Sequence, residues 1–345
     1  LKTGANTTID TIQDTAVNLA HATATSAVLN NAATNKVIVS TACTHTQAEA
    51  IEDKVTANGK AAIFDVEGTA ANILTGDMDN AARAMARKVT INAGTTDMAN
   101  AKLLLTALTT RLTINTVTDT GDAVADHADR VAIAAQTDAF VTTGTAATTI
   151  AKGAILHGLI NATTTVAYDI TSDHADVGAA DLGDGVNNNA RNSARNLTAQ
   201  GVSNVADAKR VNDATNSGST TIAALTDTAT AIAGADVTEA LLSNVAGAVN
   251  AGAATTTQAV TLANYIKPIV YTISADNAAM TTANIAGLNE AQTVTVTGKA
   301  DLSVANKVHT SSAAAKVYDI EATASQLLNS ISDAAIIGAG GTASD

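Results

Sequence analysis

One two-part unit of roughly fifty residues recurs seven times along this chain, and that period constrains the fold more than any other feature. The clearest copy runs Val317-Tyr318-Asp319-Ile320-Glu321-Ala322-Thr323-Ala324-Ser325-Gln326-Leu327-Leu328, with a close relative at Ile63-Phe64-Asp65-Val66-Glu67-Gly68-Thr69-Ala70-Ala71-Asn72-Ile73-Leu74. Weaker copies are anchored at Thr11, Thr116, Asp169, Ala224 and Thr272.

Each copy has the same local pattern. Alternating apolar and polar residues predict a short strand, and an Asp or Thr follows where a helix N-cap falls. Apolar residues then recur at helical spacing, as at Ala324, Leu327, Leu328, Ile331 and Ala335,. A second strand–helix pair fills the other half of the unit. Val294–Gly298 leads to Ser303, Ala305 and Val308, Val37–Ser40 leads to Thr46, Ala48, Ile51 and Val55, and comparable pairs start at Val89, Asn196 and Ala248. Strands joined by helical crossovers pair in parallel. The expected class is therefore α/β, a parallel strand–helix solenoid of about fourteen coils in seven double repeats. At ~4.8 Å per strand such a rod is roughly 65 Å long.

The expected organisation is one continuous solenoid over residues 1–337 and a Gly-rich tail or link at 338–345. Irregular stretches are expected around 131–160 and 183–190. In the first, Val131-Ala132-Ile133 reads as an early strand before a Thr-rich segment. In the second, Gly183–Asn189 reads as a loop,.

Composition agrees with thin layers. Hydrophobic residues are 46% of the chain but aromatics only 2%, with no Trp, so Ala, Val, Ile and Leu must form the core,. Charged residues are 15%, which leaves Thr, Asn and Ser to supply most of the polar surface,. The net charge of −13 and the lack of a basic stripe argue against nucleic-acid binding, and no stretch is apolar enough for a membrane span,. The N-terminal Leu1-Lys2-Thr3-Gly4 is neither a Met start nor a signal peptide, so a processed product or fragment is expected,.

The sequence holds no phosphate-binding loop, nucleophile elbow or zinc pattern, and no enzyme is expected. Cys43 reads as a core residue, and the histidines at 21, 45, 127, 157, 174 and 309 are dispersed. The densest acidic segment, Asp169, Asp173, Asp176, Asp181 and Asp184 with His174 inside it, is the candidate metal site, with calcium as the suited ion because hard carboxylate oxygens lie near Gly-rich turns,. The bland alternative is a solvated set of caps. Asp119, Asp122, Asp126 and Asp129 read as helix decoration, and Asp77 and Asp79 as loop or cap residues. Asn6-Thr7-Thr8, Asn161-Ala162-Thr163 and Asn196-Leu197-Thr198 fit the N-glycosylation pattern,.

The phrases Tyr318-Asp319-Ile320 … Thr323-Ala324-Ser325-Gln326-Leu327-Leu328 and Val294-Thr295-Val296-Thr297-Gly298 resemble a repeat of large secreted bacterial surface proteins, the S-layer proteins and RTX-type adhesins secreted by type I systems. The resemblance implies a structural or adhesive protein of the cell surface, often calcium-dependent. The expected function is a self-assembling extracellular structural subunit whose partners are further copies of itself and cell-surface glycans. The rivals are the stalk or binding region of an adhesin and, more remotely, a solenoid polysaccharide-active enzyme.

Overall fold

The computed structural model describes residues 9–32, 36–57, 59–74, 78–143, 148–181 and 185–323. The chain divides into two compact units, residues 1–169 and 170–345. The class is α/β: three all-parallel sheets accompany eighteen short α-helices among the described residues.

In the first unit β1 (Ile12–Asp14), β2 (Val37–Val39) and β3 (Ala62–Ile63) form a three-stranded sheet. A second sheet holds β4 (Asp65–Gly68), β5 (Lys88–Ile91), β6 (Leu112–Asp119), β7 (Thr137–Thr142) and β8 (Thr165–Ala167). Only Phe64 separates β3 from β4. The second unit has one sheet of seven: β9 (Ile170–Asp173), β10 (Leu197–Ser203), β11 (Thr220–Thr226), β12 (Val249–Ala254), β13 (Ile269–Asp276), β14 (Thr293–Ala300) and β15 (Ala315–Ile320). Within every sheet each strand pairs in parallel with the next in the chain, as expected where a helix returns the chain to the same sheet.

The register stacks like on like. Val66, Val89 and Leu112 stand at one level, and Leu225, Val249 and Ile269 at another; all are buried. These aliphatic columns form the core, each fed from the helix side by residues at helical spacing, such as Met98, Ala101, Leu104 and Leu108. The scarce aromatics Phe64, Phe140, Tyr168 and Tyr271 are all buried.

Alternate strands of the second unit are built differently. The ladder slips at Ala199/Val202 in β10, Asn250/Gly252 in β12 and Thr295/Lys299 in β14. At each slip a glycine has positive φ: Gly201 (78°), Gly252 (64°) and Gly298 (75°). Such bulges need a left-handed residue, and glycine takes it without a Cβ clash. Two residues on comes a buried small residue (Ser203, Ala254, Ala300), then the helix N-cap (Asn204, Thr255, Asp301). Gly94, Thr96 and Asp97 repeat this pattern in the first unit.

Several expectations need correction. Val131–Ile133 is not a strand but part of the helix Arg130–Ala134, closed by the Ile133 N–H on Asp129 O. The strand of that coil is β7, where buried Phe140 pairs with Val117 and sets the register. The apolar triplet was too short to distinguish the two periods. The segment 186–189 is helical, within Val186–Ser193, because Ala190 and Arg191 anchor that helix in the interior. The cap of the last described helix is Asp301, which accepts from Val304 N at 2.9 Å, rather than Ser303. The expected helix after Thr323 and the tail at 338–345 lie outside the described residues.

Candidate functional site

Each unit carries a row of polar groups at helix N-termini and another at helix C-termini. The N-terminal row is built on an Asp-Thr pair. Thr15, Thr120 and Thr228 cap their own helices by accepting from Asn18 N, Ala123 N and Ala231 N. The preceding Asp14, Asp119 and Asp227 accept the N–H of those threonines at 2.7–2.8 Å. Asp119 Oδ2 also accepts from Met98 N at 3.1 Å, and Asp227 Oδ2 from Val205 N at 3.0 Å. One carboxylate thus spans two successive helix N-termini, where unpaired N–H groups and the helix dipole favour an anion.

The C-terminal row uses cations. Lys54 Nζ donates to the carbonyls of Leu19, Ala20 and His21 at 3.1, 2.7 and 2.9 Å. Lys307 does the same at Met280, Thr281 and Ala283, and Arg111 Nη1 at Arg83, Ala84 and Ala86. Arg191, only 1% exposed, donates from Nη1 to Val177 O at 2.6 Å and Ala179 O at 3.0 Å, and from Nη2 to Asn188 Oδ1. Each reaches back to the end of an earlier helix and satisfies carbonyls that the helix cannot. This row was not anticipated. Its faint signal is a Lys or Arg within or just after the helix.

The segment expected to hold calcium is distributed over separate structural tasks. Asp173 caps the helix His174–Val177 by accepting from Ala175 N at 2.9 Å, and Asp176 Oδ2 lies 3.4 Å from Ser172 Oγ. Asp181 accepts from Gly185 N at 2.9 Å and Asn188 N at 3.1 Å, starting the next helix. Asp169 ends the first unit, and Asp184 lies outside the described residues. Among the described residues no three His, Cys, Asp or Glu side chains group so as to hold a metal ion. Oxygens of Asp173 and Asp181 are engaged by main-chain donors.

His174 joins a different group. Its Nδ1 lies 3.5 Å from Asp207 Oδ2 and its Nε2 3.8 Å from Asp173 Oδ1. Asp207 is held by Arg210 at 3.0 Å and by Asn204 Nδ2 at 2.9 Å. Arg210 also donates to Gly178 O at 2.9 Å. The cluster ties the helices His174–Val177 and Val205–Asn212, which flank Val186–Ser193 in the chain. In the first unit Lys152 pairs with Asp122 and Asp126 at 3.1 and 2.9 Å, and Lys102 with Asp129 at 2.7 Å. Asp122 and Asp126 lie on the helix Gly121–Asp126, as expected, whereas Asp119 ends β6 and Asp129 precedes the helix Arg130–Ala134. Asp79 is a cap, accepting from Ala82 N at 2.7 Å; Asp77 lies outside the described residues.

Glu52 is a buried carboxyl facing Asp79, Asp53 and Glu49, and burial pushes its pKa above the ordinary Glu value. The folded state therefore holds this proton more tightly than the unfolded state does. Stability from this group is present at low pH and is lost as pH rises from the ordinary Glu value through the raised one. Glu52→Gln is expected to raise the melting temperature at neutral pH and to leave it unchanged at pH 3 to 4. Melts by circular dichroism across that range check the sign.

Comparison with protein-family models, with curated proteins and with solved structures yielded no match. No helix among the described residues is long and apolar enough to cross a membrane.

Proposed function

We propose that this chain is a structural subunit of an extracellular surface layer or filament, built as a parallel strand–helix solenoid that adds copies end to end. The observation that carries this reading is the sheet order. Among the described residues β1 pairs only with β2, and β15 only with β14. An unpaired parallel edge is a template for a further strand. The expected count of about fourteen coils belongs to the same reading: β3 and β4 become one rung interrupted at Phe64, and β8 and β9 are counted apart. The two polar rows support it too, because they commit charged side chains to joining one coil to the next.

The edge of β15 supplies the test. Ala315 N and Glu321 N bond back to Gln292 O and Ala300 O of the β14 coil. The alternate positions, Ile320 among them, direct their N–H outward. Ile320→Pro is expected to keep the β14 ladder and remove one outward donor. At about 1 kcal/mol per bond, the critical concentration for assembly should rise several-fold. Light scattering and negative-stain microscopy, with and without millimolar calcium, measure it. A native chain that stays monodisperse at high concentration in both conditions would refute the reading and favour a non-associating adhesin stalk.

A further inference from the structure

We propose that Asn161 is an acceptor for N-linked sugar. Asn161, Ala162 and Thr163 are all exposed in the turn between the helix Ile150–His157 and β8. Asn161 Oδ1 accepts three hydrogen bonds: from Thr163 N at 2.8 Å, Thr163 Oγ1 at 2.9 Å and Thr164 N at 2.9 Å. Asn161 Nδ2 donates to Thr164 Oγ1 at 3.0 Å and to Leu159 O at 3.4 Å, and the bond to Leu159 O is the one given up on reaction. Thr164 is fully buried, its Oγ1 2.9 Å from Thr137 O and 3.0 Å from Ala134 O, so the turn is anchored from below while its tip faces solvent.

This geometry bears on the reaction itself. An amide nitrogen is a poor nucleophile because its lone pair is delocalised into the carbonyl. Loss of one Nδ2 proton places negative charge on Oδ1, where three donors already point, as donors do in an oxyanion hole. The nitrogen then attacks the anomeric carbon of a glycosyl diphosphate. The N–C bond forms, the C–O bond to the diphosphate breaks, and the diphosphate departs with the bonding pair. The Nδ2 proton goes to a base of the transferase, and the remaining Nδ2–H keeps the bond to Thr164. The requirement for a hydroxyl two residues on is met by Thr163.

The other described match is shut. Asn196-Leu197-Thr198 runs into β10, where Leu197 is fully buried and pairs with Ile170 on one side and Thr220 on the other. What separates Asn196 from Asn161 is therefore the strand: its amide oxygen also accepts, from Ser219 N at 2.9 Å and Ser219 Oγ at 3.0 Å, but its second and third residues are fixed in a ladder with neighbours on both sides. Asn6 lies outside the described residues.

The inference leans on the proposed surface location only for the route by which the chain meets a transferase. The test is peptide mass spectrometry on protein taken from the cells that make it, with cytosolic and surface fractions kept apart. The peptide containing Asn161 is expected to carry a sugar increment, and that containing Asn196 none. Modification in both fractions indicates a nucleotide-linked donor, and in the surface fraction alone a lipid-linked one. Thr163→Val should abolish the increment with an unchanged melting temperature, and Thr163→Ser should retain it. An unmodified Asn161, Asn161 converted to Asp with no sugar ever attached, or an increment at Asn196 would overturn the proposal. An assembled array with bare Asn161 would do so while leaving the structural reading intact.

Discussion

Arg191→Met is expected to cost about 3 kcal/mol or more of the stability of the second unit. The methionine keeps most of the aliphatic stem, so lost packing is a minor part of the effect. What disappears is the guanidinium that satisfies Val177 O, Ala179 O and Asn188 Oδ1 inside the protein. Val177 and Gly178 are buried, so water does not readily replace the donor. Burial pushes the Arg191 pKa down, with Asp181 acting in the opposite direction, and the site is stable because the hydrogen bonds offset that desolvation,. Arg191→Lys should recover part of the loss, since an ammonium is a compact charge without the planar fork that reaches several acceptors at once. Urea unfolding followed by circular dichroism measures both variants. A change under about 1 kcal/mol for Arg191→Met would show that these carbonyls find other partners.

That residue marks where the sequence stopped being readable. Most strand positions and several Asp or Thr caps were legible because they are local: alternation, helical spacing and a short side chain reaching its own helix all act within a few residues. Thr15, Thr120, Asp173, Thr228 and Asp276 cap helices where that pattern placed caps. The C-terminal cations were not legible. Lys54 meets Leu19, and Lys307 meets Met280, across separations that depend on how far each coil is rotated against the last. The tasks of the acidic segment were hidden for a related reason. Five aspartates within sixteen residues are dense in sequence, but Asp173 and Asp181 serve different helix starts. Asp207, which meets His174, comes from the following coil. The Gly-x-small-cap pattern at Gly201, Gly252 and Gly298 was readable in principle, since its spacing follows the double repeat, but its bulge is visible only in the register.

Gly178→Ala is expected to cost about 1–3 kcal/mol, with Gly178→Val costing more. Gly178 ends the helix His174–Val177 with an ordinary φ of −83°, so backbone freedom is not at stake. A Cβ there would lie 2.4 Å from Asp207 Cβ, 2.8 Å from Asp207 Cα and 2.8 Å from His174 O. The neighbour cannot yield readily, because Asp207 is pinned by Arg210 and Asn204. Gly252→Ala is the contrasting control: its Cβ meets nothing within 4 Å, and its cost is the ~1–2 kcal/mol of a left-handed non-glycine residue,. The reason for the crowding is general to the architecture. Adjacent parallel strands sit ~4.8 Å apart, whereas packed helices with ordinary side chains prefer about 8–10 Å. Neighbouring helices fed from such a ladder come close enough where a glycine faces the next helix. Gly287 against Ala259 and Gly178 against Asp207 are such contacts. The spacing of the sheet thus favours Ala and Gly on the helices, and with it the scarcity of aromatics. Thermal melts of Gly178→Ala and Gly252→Ala separate the two costs. A neutral Gly178→Ala would mean that the helices are free to splay, and that the sheet spacing does not dictate their side chains.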